Sequence, residues 1–258
     1  MKEKYYNIND SGYSVRCKLY TDEKLPVKAL VVAFHGFGGH KDNRAAYHFA
    51  EKALSRYPRT AVICFDLPCH GEDGQKKISL QMCSAYIASV LEDAGKRFPE
   101  AVLYAYATSF GAYLCLREIH EHGNPFRKTV LRCPAIRMYD ALQNTILGDL
   151  EKEKLQKGKD VLAGFDRKVK ISPAFLEEVR AFDLTECDFI DEADDLLILH
   201  GTKDEIIPPD TVRAFAEDNV IEYIPIENAD HRFSDPQTMN LAIAETLRFL
   251  FATNDISA

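Results

Sequence analysis

The sequence has little that would suit a nucleic acid or a membrane. Its 258 residues carry a net charge of −8 and no basic tract, which argues against nucleic acid or an anionic bilayer as the main partner. The longest uninterrupted apolar runs have the length of a strand, as in Ala29–Phe34, so no membrane span is expected. Residues 1–7 lack the apolar core of a signal peptide, and we therefore expect a cytoplasmic protein.

Motifs for metals and nucleotides are also missing. The sequence has no His-Glu-x-x-His or comparable metal-ligand spacing, no Walker lysine motif and no dinucleotide-binding Gly-x-Gly-x-x-Gly. Its seven cysteines include no Cys-x-x-Cys pair, and several lie inside apolar runs, as Cys64 and Cys115 do. We therefore predict reduced, buried thiols, no metal and no cofactor.

Strand-like runs alternate with helix-like stretches along the first half of the chain and again near its end. The run at 28–35 is continuously apolar, as in a strand buried on both faces, whereas 14–20 alternates like an antiparallel edge strand. Further strands are predicted at 60–65, 102–106, 129–133, 196–200 and 220–224. This alternation predicts an α/β fold with a mostly parallel, doubly wound sheet.

The alternation stops after Cys133 and Pro134. From 135 to 183 the sequence shows amphipathic helical stretches and no convincing strand. We interpret 135–183 as an inserted helical cap on a core formed by 1–134 and 184–258. An ordinary helical part of the core is the alternative interpretation.

A pentapeptide between a predicted strand and a predicted helix gives the first indication of chemistry. In Ala107-Thr108-Ser109-Phe110-Gly111, the residue two places before the serine and the residue two places after it are both very small. A nucleophile elbow requires this pattern, because its turn is sharp and the following helix lies close to the strand. Alanine replaces the usual first glycine but is small enough for the turn. A serine in a plain tight turn is the alternative.

A serine hydroxyl becomes a good nucleophile only beside a base that a carboxylate orients. Asp204 follows the strand at 196–200, and His231 follows the next strand, so both are expected on loops at the carboxyl ends of strands. The chain order Ser, Asp, His matches the order found on α/β-hydrolase sheets. Each residue alone also fits an ordinary loop, and Glu205 is an alternative acid. Together they predict a triad of Ser109, Asp204 and His231.

A glycine-rich loop, His35-Gly36-Phe37-Gly38-Gly39, directly follows the strand at 28–35. Acyl transfer passes through an oxyanion that needs two preorganised N–H donors. The backbone N–H of Phe110 is expected to be one, and the N–H of Phe37 is the favoured second. We interpret His35 as a structural residue that holds this loop through a hydrogen bond, and His70 as a support of the next loop.

With these residues the sequence resembles the α/β-hydrolase superfamily, and within it the small bacterial serine esterases of the feruloyl/cinnamoyl-esterase-like group. This group adjoins the serine aminopeptidase-like and monoacylglycerol-lipase-like hydrolases. The likeness covers nearly the whole chain and rests on the motifs at 35–39, 66–72, 107–111, 201–204 and 230–231.

The resemblance implies that Ser109 is the nucleophile, His231 the base and Asp204 its orienter, with the Phe37 and Phe110 amides as the oxyanion hole. It also implies that a short cap covers the acyl pocket. Ala107 and Thr108 depart from the commoner Gly-His or Gly-Glu, and Thr108 is expected to alter the floor of the pocket.

We therefore expect a serine carboxylesterase, of feruloyl/cinnamoyl type, that cleaves a small-molecule ester through an acyl-enzyme on Ser109. A peptidase or thioesterase on the same triad is the alternative, followed by a catalytically silent binding protein. A cysteine nucleophile at Cys69 or Cys133 is disfavoured because neither residue lies in an elbow. The aromatic residues of the insertion either line the acyl pocket or pack among themselves; they include Phe165, Phe175 and Phe182. The sequence leaves open the natural substrate and whether the protein is a monomer or a homodimer.

Overall fold

One large sheet organises the residues that the structure describes, which are 1–10, 12–165 and 167–251 of a computed structural model. Its strands, together with those of a small hairpin, are β1 Lys2–Asp10, β2 Tyr13–Thr21, β3 Ala29–Phe34, β4 Thr60–Phe65, β5 Val102–Thr108, β6 Thr129–Arg132, β7 Val161–Ala163, β8 Val169–Ile171, β9 Leu196–Gly201 and β10 Glu222–Ile226. The α-helices are α1 Arg44–Arg56, α2 Leu80–Arg97, α3 Phe110–His122, α4 Met138–Ala141, α5 Asp149–Gln156, α6 Pro173–Ala181, α7 Pro209–Asp218 and α8 Pro236–Leu250.

The strand order of the large sheet is β1-β2-β4-β3-β5-β6-β9-β10. Six neighbouring strands run parallel to one another: β4, β3, β5, β6, β9 and β10. At one edge of the sheet β2 pairs antiparallel with β4, and β1 pairs antiparallel with β2. The predicted doubly wound α/β sheet is thus confirmed. The carboxyl ends of β5, β9 and β10 all face one edge of the sheet, where such folds place their sites.

The expectation that 14–20 forms the edge strand is wrong. β2 covers this stretch, and β1 lies outside it in a nine-residue antiparallel pairing from Lys2 opposite Thr21 to Asp10 opposite Tyr13. β1 escapes sequence detection because most of its side chains are polar and exposed to solvent. Backbone pairing with β2, rather than burial of an apolar face, accounts for this strand.

Two apolar layers cover the sheet. Helices α2, α3 and α7 pack on one face, and α1 and α8 pack on the other. Every residue of β3 and β4 is buried, which explains the continuous apolar run in the sequence. Ser79 caps the start of α2, since its side chain accepts the Met82 N–H at 3.1 Å. In the described part of the chain, none of the helices combines the length and apolar character needed to cross a bilayer.

The segment 135–183 contains more than helices, so the expectation of a purely helical insertion is wrong. Between α5 and α6 the strands β7 and β8 pair antiparallel, from Val161 opposite Ile171 to Ala163 opposite Val169. Strands of three residues are too short to show the period of two on which sequence recognition depends. The apolar side chains of the segment join the same cluster as α2 and α3. The division into core and cap therefore stays a prediction.

The start of α3 requires close contact with the end of β3. A Cβ atom on Gly111 would lie 2.5 Å from the carbonyl oxygen of His35 and 2.8 Å from that of Phe34. Both atoms belong to the backbone, so no side chain could simply rotate away. The glycine at the end of the pentapeptide therefore sets how closely the helix behind the serine approaches the sheet.

We predict that Gly111→Ala lowers the free energy of unfolding by roughly 1–3 kcal/mol, because overpacking must displace backbone. Urea unfolding measures the change. Gly95→Ala is the matched control: a Cβ there meets nothing within 4 Å, and alanine is favoured over glycine inside a helix by about 1 kcal/mol. An equal free energy of unfolding for Gly111→Ala and the wild type would show that the contact between Gly111 and the end of β3 is not tight.

Candidate active site

Ser109 occupies a strained turn between β5 and α3. Its backbone has φ 53° and ψ −117°, in a region that non-glycine residues rarely adopt. The turn is held by the Ser109 N–H, which donates to the Arg132 carbonyl at 2.9 Å, and by the Ser109 carbonyl, which accepts the Tyr113 N–H at 3.0 Å. Ala107 is completely buried, as a small residue at this position should be. The geometry is that of a nucleophile elbow.

The structure brings the three predicted triad residues together. The Nε2 atom of His231 lies 3.0 Å from Oγ of Ser109, and its Nδ1 atom lies 2.7 Å from Oδ2 of Asp204. An ionised carboxylate only accepts, so Nδ1–H donates to Asp204 and Nε2 is left to accept the serine proton. The alternative acid, Glu205, is exposed. The three side chains form one continuous chain of hydrogen bonds.

Asp204 is a buried carboxylate surrounded by donors. Its Oδ1 accepts the backbone N–H groups of Ile206 at 2.9 Å and Ile207 at 2.8 Å. Its Oδ2 receives His231 and lies 3.2 Å from Nε2 of His200. Burial disfavours the charged form, but the hydrogen bonds from the two histidines and from the backbone outweigh it, so the pKa of Asp204 lies well below its usual range.

His200 is a part of the site that the sequence analysis missed. The side chain is completely buried at the end of β9. Its Nε2–H is shared between Asp204 and the carbonyl oxygen of Ile207, which lies 3.1 Å away. Its position four residues before Asp204 is the one indication in the sequence. This indication is weak because the sequence alone does not fix how the end of the strand and the loop bring the two side chains together. His200 holds the carboxylate that orients His231.

The loop at 35–39 lies directly beside Ser109. A Cβ atom on Gly36 would lie 3.2 Å from Cβ of Ser109. His35 holds the loop as predicted: its Nδ1 lies 2.8 Å from the Gly36 carbonyl, and its Nε2 accepts the Leu67 N–H at 3.1 Å. Burial, reinforced by the charge of nearby His70, lowers the pKa of His35 well below its usual value. The ring is therefore neutral, with Nδ1–H as donor and Nε2 as acceptor.

A cavity of about 310 Å³ opens onto Ser109. Phe37, Thr108 and Phe165 lie on its wall, and the ring of Phe165 is 44% exposed. Phe175 instead is completely buried, with its ring centre 6.2 Å from that of Phe110. Phe182 packs against Tyr113. The structure thus places Phe165 against the cavity, whereas Phe175 and the partly buried Phe182 pack against other side chains outside the cavity lining, as the alternative interpretation describes.

The two cysteines weighed as nucleophiles, Cys69 and Cys133, are poorly suited to that role. Burial, and then the charge of Asp204, raises the pKa of the Cys133 thiol well above its usual value. Burial, and then the charge of Asp73, raises the pKa of Cys69 to about 11. Cys133 and His200 could approach one metal ion together with Asp204. Asp204, however, already receives the hydrogen bond of His231.

The sequence profile of the alpha/beta hydrolase family matches residues 30–245, and the chain belongs to this family. The solved structure of Est1E from Butyrivibrio proteoclasticus with ferulic acid bound is similar, with a TM-score of 0.79 at 18% identity, covering 96% of this chain and 100% of that chain. An esterase from Pyrococcus furiosus has a TM-score of 0.69 at 14% identity, covering 97% and 91%.

A serine hydrolase without a lid from Xanthomonas campestris has a TM-score of 0.67 at 14% identity, covering 97% of this chain and 94% of that chain. No match was found among curated proteins. At these identities the structural likeness establishes the fold and not the chemistry.

The low pKa of Asp204 predicts a specific acid sensitivity. A carboxyl whose pKa is depressed by folding stabilises the folded state above its unfolded pKa of about 3.9, and this contribution is lost as the pH falls below that value. We therefore expect the difference in free energy of unfolding between the wild type and Asp204→Asn to become smaller as the pH falls below about 5. Urea unfolding of both proteins at stepped pH measures it. A parallel decline of the two proteins would contradict the prediction.

Proposed function

We propose that this chain is a serine carboxylesterase, in which Ser109 attacks the carbonyl of a small or medium acyl ester. His231 takes the serine proton and passes it to the leaving alcohol, and Asp204 keeps the imidazole in the required tautomer. Water, activated by the same histidine, then releases the acyl group. The observation that carries the proposal is the unbroken chain of hydrogen bonds from Ser109 through His231 to Asp204, at the wall of a cavity.

The two expected oxyanion donors are supported by the planarity of the peptide bond. The Gly36 carbonyl is held by His35 and by the Gly39 N–H at 2.9 Å. Because C=O and N–H of one trans peptide point in opposite directions, the N–H of Phe37 is directed away from these partners. This peptide lies beside the nucleophile, since Gly36 approaches Ser109 closely.

The Ser109 carbonyl fixes the second donor in the same way. It accepts the Tyr113 N–H at 3.0 Å and the Ala135 N–H at 3.3 Å, which directs the N–H of Phe110 to the opposite side. As the first residue of α3, Phe110 has an N–H without a partner in its own helix. Two N–H groups aimed at the developing negative oxygen are what the tetrahedral intermediate requires.

The feruloyl/cinnamoyl type is the narrower part of the proposal. It is supported by the likeness to Est1E, whose structure holds ferulic acid, and by the aromatic rings of Phe37 and Phe165 on the cavity wall. A cavity of about 310 Å³ suits a small acyl group. All seven cysteines are unpaired, which supports the proposed cytoplasmic location. The oligomeric state stays a prediction.

We predict that Ser109→Ala lowers turnover of p-nitrophenyl acyl esters by at least ~10³-fold, as removal of a triad nucleophile does. The same variant should lose labelling by a fluorophosphonate probe. A panel of matched esters, thioesters and anilides of one acyl group then separates esterase from thioesterase and peptidase activity. Unchanged turnover in Ser109→Ala, or a wild type that the probe does not label, would refute the mechanism.

His35 should affect the rate through the oxyanion loop. His35→Leu removes the donor that fixes the Gly36 carbonyl, so the Phe37 N–H loses its alignment. We expect kcat to fall about 10- to 100-fold, less than the ~10²–10³-fold cost of removing an oxyanion donor outright because the Phe37 N–H is misaligned and not lost, with little change in KM. His48→Leu, at a partly exposed position of α1, is the control and should keep both constants. A rise in KM with unchanged kcat would show that His35 serves substrate binding instead.

A further inference from the structure

The cavity beside Ser109 is cationic although the whole chain is acidic. Among the described residues that line it, four carry a positive charge and none is an aspartate or glutamate; the four are Lys41, Arg132, Arg167 and Arg232. The net charge of the chain is −8. A concave surface of one sign, enclosed by walls of low polarisability, attracts ligands of the opposite sign.

Arg132 is the member of this set that carries the argument. Lys41 is already paired with three carboxylates, those of Asp42, Asp66 and Glu72. Arg167 is exposed. Arg132 is only 5% exposed, and within the described residues no carboxylate pairs with it and its Nε atom has no hydrogen-bond partner.

The surroundings of the Arg132 side chain do not satisfy it. Its Nη1 lies 3.5 Å from the Met239 sulfur, a weak acceptor, and its guanidinium lies 5.2 Å from the centre of the Phe233 ring. A guanidinium has five N–H donors, and burying them without acceptors is costly. An aromatic ring offsets part of the charge but accepts few hydrogen bonds. Arg132 is also one of the residues that line the cavity.

The position of Arg132 places its charge close to the reacting serine. In the register of β5 and β6 it stands opposite Thr108, the residue before the nucleophile, and its carbonyl accepts the Ser109 N–H. Tyr106 lies two residues earlier on β5, on the same face of the sheet. Its hydroxyl is also buried without a hydrogen-bond partner among the described residues. Tyr106 is one of the residues that line the same cavity.

We propose that Arg132, with Tyr106 beside it, binds an anionic group of the ester substrate, a carboxylate or a phosphate. The two side chains together supply a fixed cation and a hydroxyl donor, which is the pairing that recognises such oxyanions. The site therefore selects esters that carry a negative charge a short chain away from the scissile carbonyl. This inference rests on the proposed esterase function, since it concerns the substrate of the same site.

Matched pairs of substrates test the proposal and locate the charge. In the first pair the anion is on the acyl side: mono-p-nitrophenyl glutarate against its neutral methyl ester. In the second it is on the alcohol side: 4-carboxyphenyl butyrate against 4-(methoxycarbonyl)phenyl butyrate. We expect the wild type to prefer the anionic member of one pair by at least about ten-fold in kcat/KM, the effect of roughly 1.4 kcal/mol of differential binding.

Substitution of Arg132 should abolish that preference. We expect Arg132→Gln to lower the anionic-to-neutral ratio of kcat/KM by roughly 30-fold or more, as loss of one partner of a buried charge pair does. Arg132→Lys should retain part of the ratio, and Tyr106→Phe should lower it by a smaller factor. Arg213→Gln on α7, outside the cavity lining, is the matched control and should retain the wild-type ratio.

The alternative is that Arg132 merely supports the loop of His231 through Phe233. In that case Arg132→Gln would slow the anionic and neutral esters equally, and this result would overturn the proposal. Equal rates for both members of both pairs in the wild type would overturn it as well. If neither the wild type nor any variant hydrolyses the esters or takes up the fluorophosphonate, the esterase function itself fails, which is a separate outcome.

A binding measurement covers the case in which Arg132→Gln does not fold. Glutarate should inhibit wild-type hydrolysis of a neutral p-nitrophenyl ester competitively, whereas the uncharged glutaramide should not. Added sodium chloride at matched ionic strength controls for general screening. Equal inhibition by the acid and the amide, or none by either, would count against an anion site at Arg132.

Discussion

The site depends on one buried negative charge, the carboxylate of Asp204. Four donors converge on it from three parts of the chain: the backbone after Asp204, the end of β9 through His200, and the loop after β10 through His231. An ionised carboxylate is stable in such a place only if its acceptor positions are filled. The same hydrogen bonds that stabilise the charge therefore fix the tautomer and the orientation of His231, and they hold its Nε2 atom beside Ser109.

The second constraint is the close approach of backbone segments around Ser109. Gly111 brings α3 against the end of β3, and Gly36 brings the loop after β3 against Ser109. The carbonyls of Gly36 and Ser109 are each held by two donors, so the N–H groups of the same peptides point the opposite way. Backbone groups positioned in this manner need no rearrangement when charge develops on the substrate oxygen, which is the basis of electrostatic catalysis.

The sequence predicted those parts of the molecule that follow from strand ends and small residues. Ser109, Asp204 and His231 could be placed together because parallel strands bring their carboxyl ends to one edge, and β3 and β4 could be found because they are continuously apolar. The sequence did not indicate β1, because this strand is mostly polar and exposed. It did not indicate β7 and β8 either, because strands of three residues are too short to show an alternating pattern. Arg132 gave no indication either, because at a strand end the sequence alone does not show whether a charged side chain meets solvent, a carboxylate or a cavity.

The acidic surface and the basic cavity have opposite effects on a charged ligand. A net charge of −8 repels an anion at a distance, but such repulsion between exposed charges is largely screened beyond about 8 Å at physiological ionic strength. Inside the cavity the screening is weaker, and the guanidinium of Arg132 acts at short range on a ligand that has lost its water. The long-range field would therefore slow the encounter with an anionic ester, whereas the local contact would hold it in place. Selectivity for anionic esters therefore arises after binding, when the contact with Arg132 orients the ester carbonyl toward Ser109.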